Sequence, residues 1–121
     1  MKIKTLELID ITLDWAVCEA TGLLAAYPRV REDFALQWSS TGNRHLHPST
    51  DWSQGGPIIE REKIGSLHEA RGVWSASTKW EDPAKVFYGK TKLIAAMRCY
   101  VAAKLGDELE IPNELIGELK P

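Results

Sequence analysis

The sequence predicts a single α+β domain in which a small antiparallel sheet packs against two main helices. Three features carry that expectation: a segment with helical period from Asp10 to Gly22, short β-branched and aromatic runs between Lys63 and Gly89, and a long capped helix from Thr91 to Gly106. At 121 residues the chain has room for one hydrophobic core, so residues 1–121 are read as one domain.

The first helix comes from "DITLDWAVCEATG", where Leu13, Ala16, Val17 and Ala20 recur at the i, i+3, i+4, i+7 spacing of one helical face. Asp10 is placed to cap its start by accepting a backbone N–H. Gly22 is placed to stop it in the left-handed conformation.

From Leu23 to Trp52 the period breaks at Pro28, Ser39, Ser40, Gly42, Asn43 and Pro48. "FALQW" is the best candidate there for a short strand. So long a stretch with little regular structure is uncommon unless it binds something, so residues 28–56 are expected to form a candidate binding loop. Pro57 favours the first position of a helix, which makes "PIIERE" a short helical turn, with a short strand as the rival because Ile58 and Ile59 are β-branched.

"KIGSLHE", "GVWSASTKW" and "KVFYG" are punctuated by Gly72 and by Asp82-Pro83, the pattern of a small antiparallel sheet. Trp74 and Trp80 share one parity, so one face is expected to carry two indoles. The second helix, "TKLIAAMRCYVAAKLG", places Leu93, Met97, Tyr100, Val101 and Lys104 on one stripe, with Thr91 as cap and Gly106 as stop. Ala95, Cys99, Ala102 and Ala103 make its other side small enough for another backbone to approach, either the first helix or a second subunit. A homodimer is favoured on that ground, since a two-fold contact buries one patch twice. Residues 107–121 read as a peripheral tail with room for one more turn.

Composition narrows the function. A net charge of −2 with both signs interspersed gives no basis for DNA binding, and no apolar run approaches the roughly 20 residues a bilayer requires. Glu7 and Asp10 interrupt the N-terminus where an export signal would be apolar, so the cytoplasm is the expected location. There, Cys18 and Cys99 are expected as free thiols rather than a disulfide.

Three ordered motifs, "LDWAVCEA", "STDWSQGGPIIERE" and "YGKTKLIAAMRCYVAAKLGDELEIP", resemble the NinX-like family of small phage and prophage proteins. Residues 28 to 46 match poorly. The resemblance implies a phage origin and, by itself, no activity. Where relatives tend to have Gly-Pro-Thr-Pro before the long helix, this chain has "GKTK", Gly89 to Lys92, and so lacks a proline to stiffen the helix entry.

The residues that could carry chemistry fall in two groups. His45, His47 and Asp51 could ligate a metal or organise a base, yet a zinc site needs three or four ligands, and His68 with Glu60 or Glu62 would have to fold over to complete one. Two solvated loop histidines is the plainer reading, so no metal is expected. No nucleophile elbow, phosphate loop or Cys-x-x-Cys occurs, and Ser49 and Thr50 have no base partner by sequence. The balance falls against an enzyme, and no cofactor is expected.

The second group is "DWSQGGP". If Gly55 and Gly56 lead into a helical turn, their open amides would face a phosphate or carboxylate. Trp52 would stack on a planar ring and Gln54 would pair with its edge, while Asp51 stands beside them and Arg98 reaches over from the long helix as an anion clamp. The plainer alternative is that Gly-Gly-Pro only turns the chain, Trp52 fills core and Arg98 pairs with Glu60 or Asp51. The leading expectation is a non-enzymatic phage accessory protein that captures a nucleotide-like anion, with sequestration of a host immune signalling nucleotide as one use. The alternative is a protein–protein module that blocks a host enzyme through exposed aromatics among Tyr27, Trp38, Trp74 and Trp80 and through the Ala-rich face of the long helix. A metal-dependent hydrolase stands third.

Overall fold

In the computed structural model, which describes residues 1–39 and 46–117, strand β1 (Lys2–Lys4) and a 3-10 turn lead into helix α1 (Asp10–Ala20). Every residue from Ile11 to Cys18 is buried, so α1 runs through the middle of the core rather than over its surface. Asp10 does not cap it. Asp10 is the first helical residue, at φ +49°, and the Thr12 hydroxyl takes the Ile9 N–H at 3.1 Å while donating to the Ile9 carbonyl at 2.7 Å. Gly22 stops the helix at φ +85°, as its freedom at positive φ allows.

The described residues of the expected loop over residues 28–56 are instead largely helical. Short helices α2 (Leu23–Ala26), α3 (Pro28–Glu32) and α4 (Phe34–Ser39) follow one another, and "FALQW" lies in α4 rather than in a strand. Each is too short to show a hydrophobic period, and each is held by an anchor in the core: buried Leu24 and Phe34, and half-buried Val30 and Trp38. Helix α5 (Trp52–Glu62) starts five residues before Pro57, so the proline lies inside it. The Asp51 carboxylate, accepting from Ser53 N at 2.9 Å, fixes that start.

The expected sheet forms from β2 (Gly65–His68), β3 (Trp74–Ser77) and β4 (Phe87–Gly89), antiparallel with β3 central. Ala76 and Phe87 are paired in register and buried against α6 (Lys92–Leu105). β3 ends at Ser77, so Trp80 lies beyond the strand that carries Trp74, and its ring packs over Gly65. Helix α6 is bounded as the sequence implies, with the Thr91 hydroxyl accepting from Ile94 N and Gly106 at φ +96°. α1, α5 and the sheet all pack on it, burying Ala95 and Cys99 of its small-residue face within the chain while Ala102 is half-buried and Ala103 exposed.

The segment after α6 is not a peripheral tail. Strand β5 (Glu108–Glu110) pairs antiparallel with β1, and helix α7 (Asn113–Gly117) follows, with Ile111 and Leu115 buried in the core. Thr5 ties the two ends together, its N–H donating to Asp107 O at 2.8 Å and its hydroxyl to Gly106 O at 2.7 Å.

Candidate functional site

Asp51, Trp52, Gln54, Gly55 and Gly56 all lie on the first turns of α5, but they do not form an anion cradle. The Gly55 amide donates to Asp51 O at 3.0 Å, and Gly56 sits within the helix. The glycine is required for another reason. A Cβ on Gly55 would lie 2.5 Å from Leu93 Cδ1 and would clash with the Pro48 carbonyl, so its absence lets α5 press against α6 and the preceding loop. At Gly56 a Cβ would meet only Trp52 Cε3, at 3.7 Å.

Trp52 is neither core nor stacked under a ligand arch. Its indole is 52% exposed, with Lys92 Nζ 5.9 Å from the ring centroid. Lys92 occupies the first position of α6, where it sets a cation over the Trp52 indole.

Arg98 does not join this group. Leu93, which faces α5, and Arg98 are five residues apart, roughly 140° around α6 at 3.6 residues per turn. The Arg98 guanidinium instead donates to Leu8 O at 2.9 Å and Tyr88 O at 2.6 Å, bridging the turn before α1 to β4. Half-burial draws its pKa down from the ordinary guanidinium value.

A polar network that sequence reading did not single out organises the region. Asp14, 1% exposed in the middle of α1, accepts the Trp38 indole N–H at 2.8 Å and the Ser49 N–H at 2.8 Å, with His47 Nδ1 at 3.9 Å. The Trp38 and His47 rings lie 5.1 Å apart. Burial raises the Asp14 pKa above the usual carboxylate value, opposed by its hydrogen bonds and by His47. One carboxylate thus fastens α4 and the 46–51 segment to α1. The one signal in the sequence was a carboxylate inside a helix otherwise apolar on most sides.

Gln54 joins this network from α5: its Oε1 accepts the His47 N–H at 3.0 Å and its Nε2 donates to Asp51 Oδ2 at 3.1 Å. Asp51 is therefore occupied as a cap. Among the described residues no three His, Cys, Asp or Glu side chains gather in a way that could hold a metal, and His45 lies outside the described residues.

Beside Gln54 a cleft of about 410 Å³ opens between α1 and α5. Val17, Leu23, Pro48 and Ile58 supply apolar wall, while Ser53, Gln54, Thr21 and Arg61 supply polar groups. Pro57 also lines it, and having no N–H it cannot satisfy the Ser53 carbonyl four residues back. Cys18 borders the cleft as a buried thiol whose pKa burial pushes up to about 12, which keeps it protonated.

A family model for bacteriophage P22 NinX matches residues 4–104. The chain belongs to the phage P22 NinX family. No curated protein matches it. The NinX match takes in α1, α5, the three-stranded sheet and nearly all of α6, and so includes both walls of the cleft; it ends before β5 and α7. No described helix of this NinX-family chain is long and apolar enough to cross a membrane.

Proposed function

We propose that this phage protein acts by binding rather than catalysis, and that the cleft between α1 and α5 captures a small nucleotide-like anion. The observation that carries the reading is the cleft itself, whose volume falls in the range of roughly 300–1,000 Å³ typical of small-molecule sites and whose walls divide into an apolar side and a polar side. Arg61 supplies the cation in place of Arg98. Its Nε donates to Glu62 at 3.0 Å and Tyr100 is a further neighbour, which leaves other N–H donors of the guanidinium for an anionic group. Gln54 keeps one amide hydrogen and one lone pair free of its bonds to His47 and Asp51. The Ser53 carbonyl, which lacks a proton from Pro57, suits a donor such as an exocyclic amine. An anion at one end and a donor edge at the other is the chemistry of a nucleotide. Withdrawal of a host immune signalling nucleotide is the use we assign to such capture in a phage.

The experiment is mass spectrometry of small molecules released when protein purified from infected or expressing cells is denatured. A stoichiometric phosphorylated compound, absent from an Arg61→Ala preparation, supports capture. A preparation that releases none and gains no thermal stability from adenine nucleotides or their cyclic products speaks against it.

A second reading, a protein–protein module that blocks a host enzyme, draws on the outer face of the three-stranded sheet. Leu67, Ser75 and Tyr88 stand in one cross-strand row, Val73 is two residues from Ser75, and Trp80 adjoins at Gly65. Leu67, Val73, Trp80 and Tyr88 are all exposed, which makes an apolar patch above the buried Ser75 and Ser77. Pull-down from host lysate separates the readings: a stoichiometric protein partner lost on Leu67→Ser/Tyr88→Ser favours inhibition.

A further inference from the structure

A smaller pocket of about 270 Å³ lies on the opposite side of α6 from the cleft's α5 wall, beneath the connection between β3 and β4. Its floor is Phe87, Cys99, Ala102 and Ala103, and its rim is Thr78, Lys79 and Lys85. The hollow has a simple origin. Alanines and a cysteine on this face of α6 leave unfilled the space that larger side chains would occupy under the long connection.

One buried hydroxyl holds the two lysines in place. Ser77 Oγ accepts from Lys79 N at 2.9 Å and donates to Lys85 O at 2.8 Å, so the backbones on either side of the connection are pinned to the same atom. Both lysines border one small volume. Neither forms an ion pair among the described residues, although Lys2, Lys104, Arg31 and Arg61 do. No carboxylate lines the pocket, and Asp82 of the same connection is used to cap Ala84 N at 3.0 Å. Two lysines on the rim of one hollow put two positive charges within reach of an anion seated there.

We propose that this pocket is a second, separate binding site for a small organic anion: a carboxylate or phosphate monoester whose charged end lies between Lys79 and Lys85 and whose short apolar body rests on Phe87 and Ala102. Thr78 supplies a hydroxyl to the anionic end. The negative end of the α6 dipole lies close by and opposes the binding, but it amounts to about half a charge against two full ones. The pocket is too small for a nucleotide, which separates it from the cleft in size as well as in place.

The test is a titration of isotopically labelled protein with butyrate, with glycerol phosphate and with inorganic phosphate, followed by amide chemical shifts through the millimolar range. The site predicts saturable shifts confined to Thr78, Lys79, Lys85, Phe87 and the Cys99–Ala103 turn. Binding should weaken by roughly tenfold or more in Lys79→Ala/Lys85→Ala, whose exposed side chains leave the fold intact. Ala103→Leu, at an exposed position on the floor, should exclude butyrate while leaving inorganic phosphate bound. Arg61→Ala should leave all three unchanged. Shifts that never saturate, that scatter over the surface, or that survive the double lysine variant overturn the assignment.

Discussion

Gly55 and Leu93 meet where α5 crosses α6, so closely that a single added Cβ at Gly55 would stand 2.5 Å from Leu93 Cδ1. The neighbouring glycine has ordinary room. Gly55→Ala is therefore expected to destabilise the fold by about 1–3 kcal/mol through overpacking, because the obstructing Pro48 carbonyl is backbone and cannot swing aside. Gly56→Ala is expected to stabilise it by roughly 0.5–1 kcal/mol through lower unfolded-chain entropy and better helix propensity. Urea denaturation midpoints of the two variants decide the matter, and equal effects of one sign would show that the crossing is not as tight as described.

Arg98 is assigned a structural role, bridging Leu8 O and Tyr88 O. Arg98→Ala should cost roughly 1.5–3 kcal/mol in urea unfolding, the usual worth of hydrogen bonds from a charged donor. Its effect on ligand affinity in the cleft should be negligible. Loss of binding with unchanged stability would instead restore Arg98 as an anion clamp.

Asp14 gives a pH signature. Burial raises its folded-state pKa above the unfolded value of 3.8. Between those two values the folded state holds more protons than the unfolded state, so this group's contribution is full below the unfolded pKa and declines as pH rises through the folded one. Asp14→Asn removes that slope. It also leaves one of the two donors, the Trp38 or the Ser49 N–H, without an acceptor, at a cost of about 1–3 kcal/mol. Unfolding free energies measured across the acid range should fall with rising pH for wild type relative to Asp14→Asn, and parallel curves would contradict the assignment.

Cys18, pushed up to about 12 and 2% exposed, should resist alkylation at neutral pH in the native protein. Labelling by iodoacetamide should accelerate with urea in step with global unfolding. Rapid labelling of Cys18 in the absence of urea would show that the cleft wall opens without unfolding.

Where the sequence carried long-range order in a local signal, it could be read. Thr91 and Gly106 bound α6, Gly22 ends α1, and the alternating segments from Lys63 to Gly89 pair as a sheet. The failures share a cause: the deciding contact was distant in sequence. Helices α2 to α4 are each shorter than two turns and owe their place to Leu24, Phe34 and Trp38 reaching the core, which no local period reveals. The helix at "WSQGGP" forms despite poor propensity because Asp51 caps it and Gly55 lets it dock on Leu93. The candidate site was legible only in its neighbourhood. Gln54 does reach a cleft, but Arg61, Ser53 and the Asp14 network could be found only once α1 and α5 were side by side.

Capture of a nucleotide-like anion in the α1–α5 cleft, as proposed, depends on Arg61. The most direct measurement is the melting temperature of wild type and Arg61→Ala against a concentration series of adenine nucleotides and their cyclic products. A ligand at a hundredfold excess over its Kd should stabilise wild type by about 2.7 kcal/mol, on the order of 10 °C for a domain this size, and the variant much less. No concentration-dependent rise for any member of the series, or an equal rise in Arg61→Ala, would contradict the account.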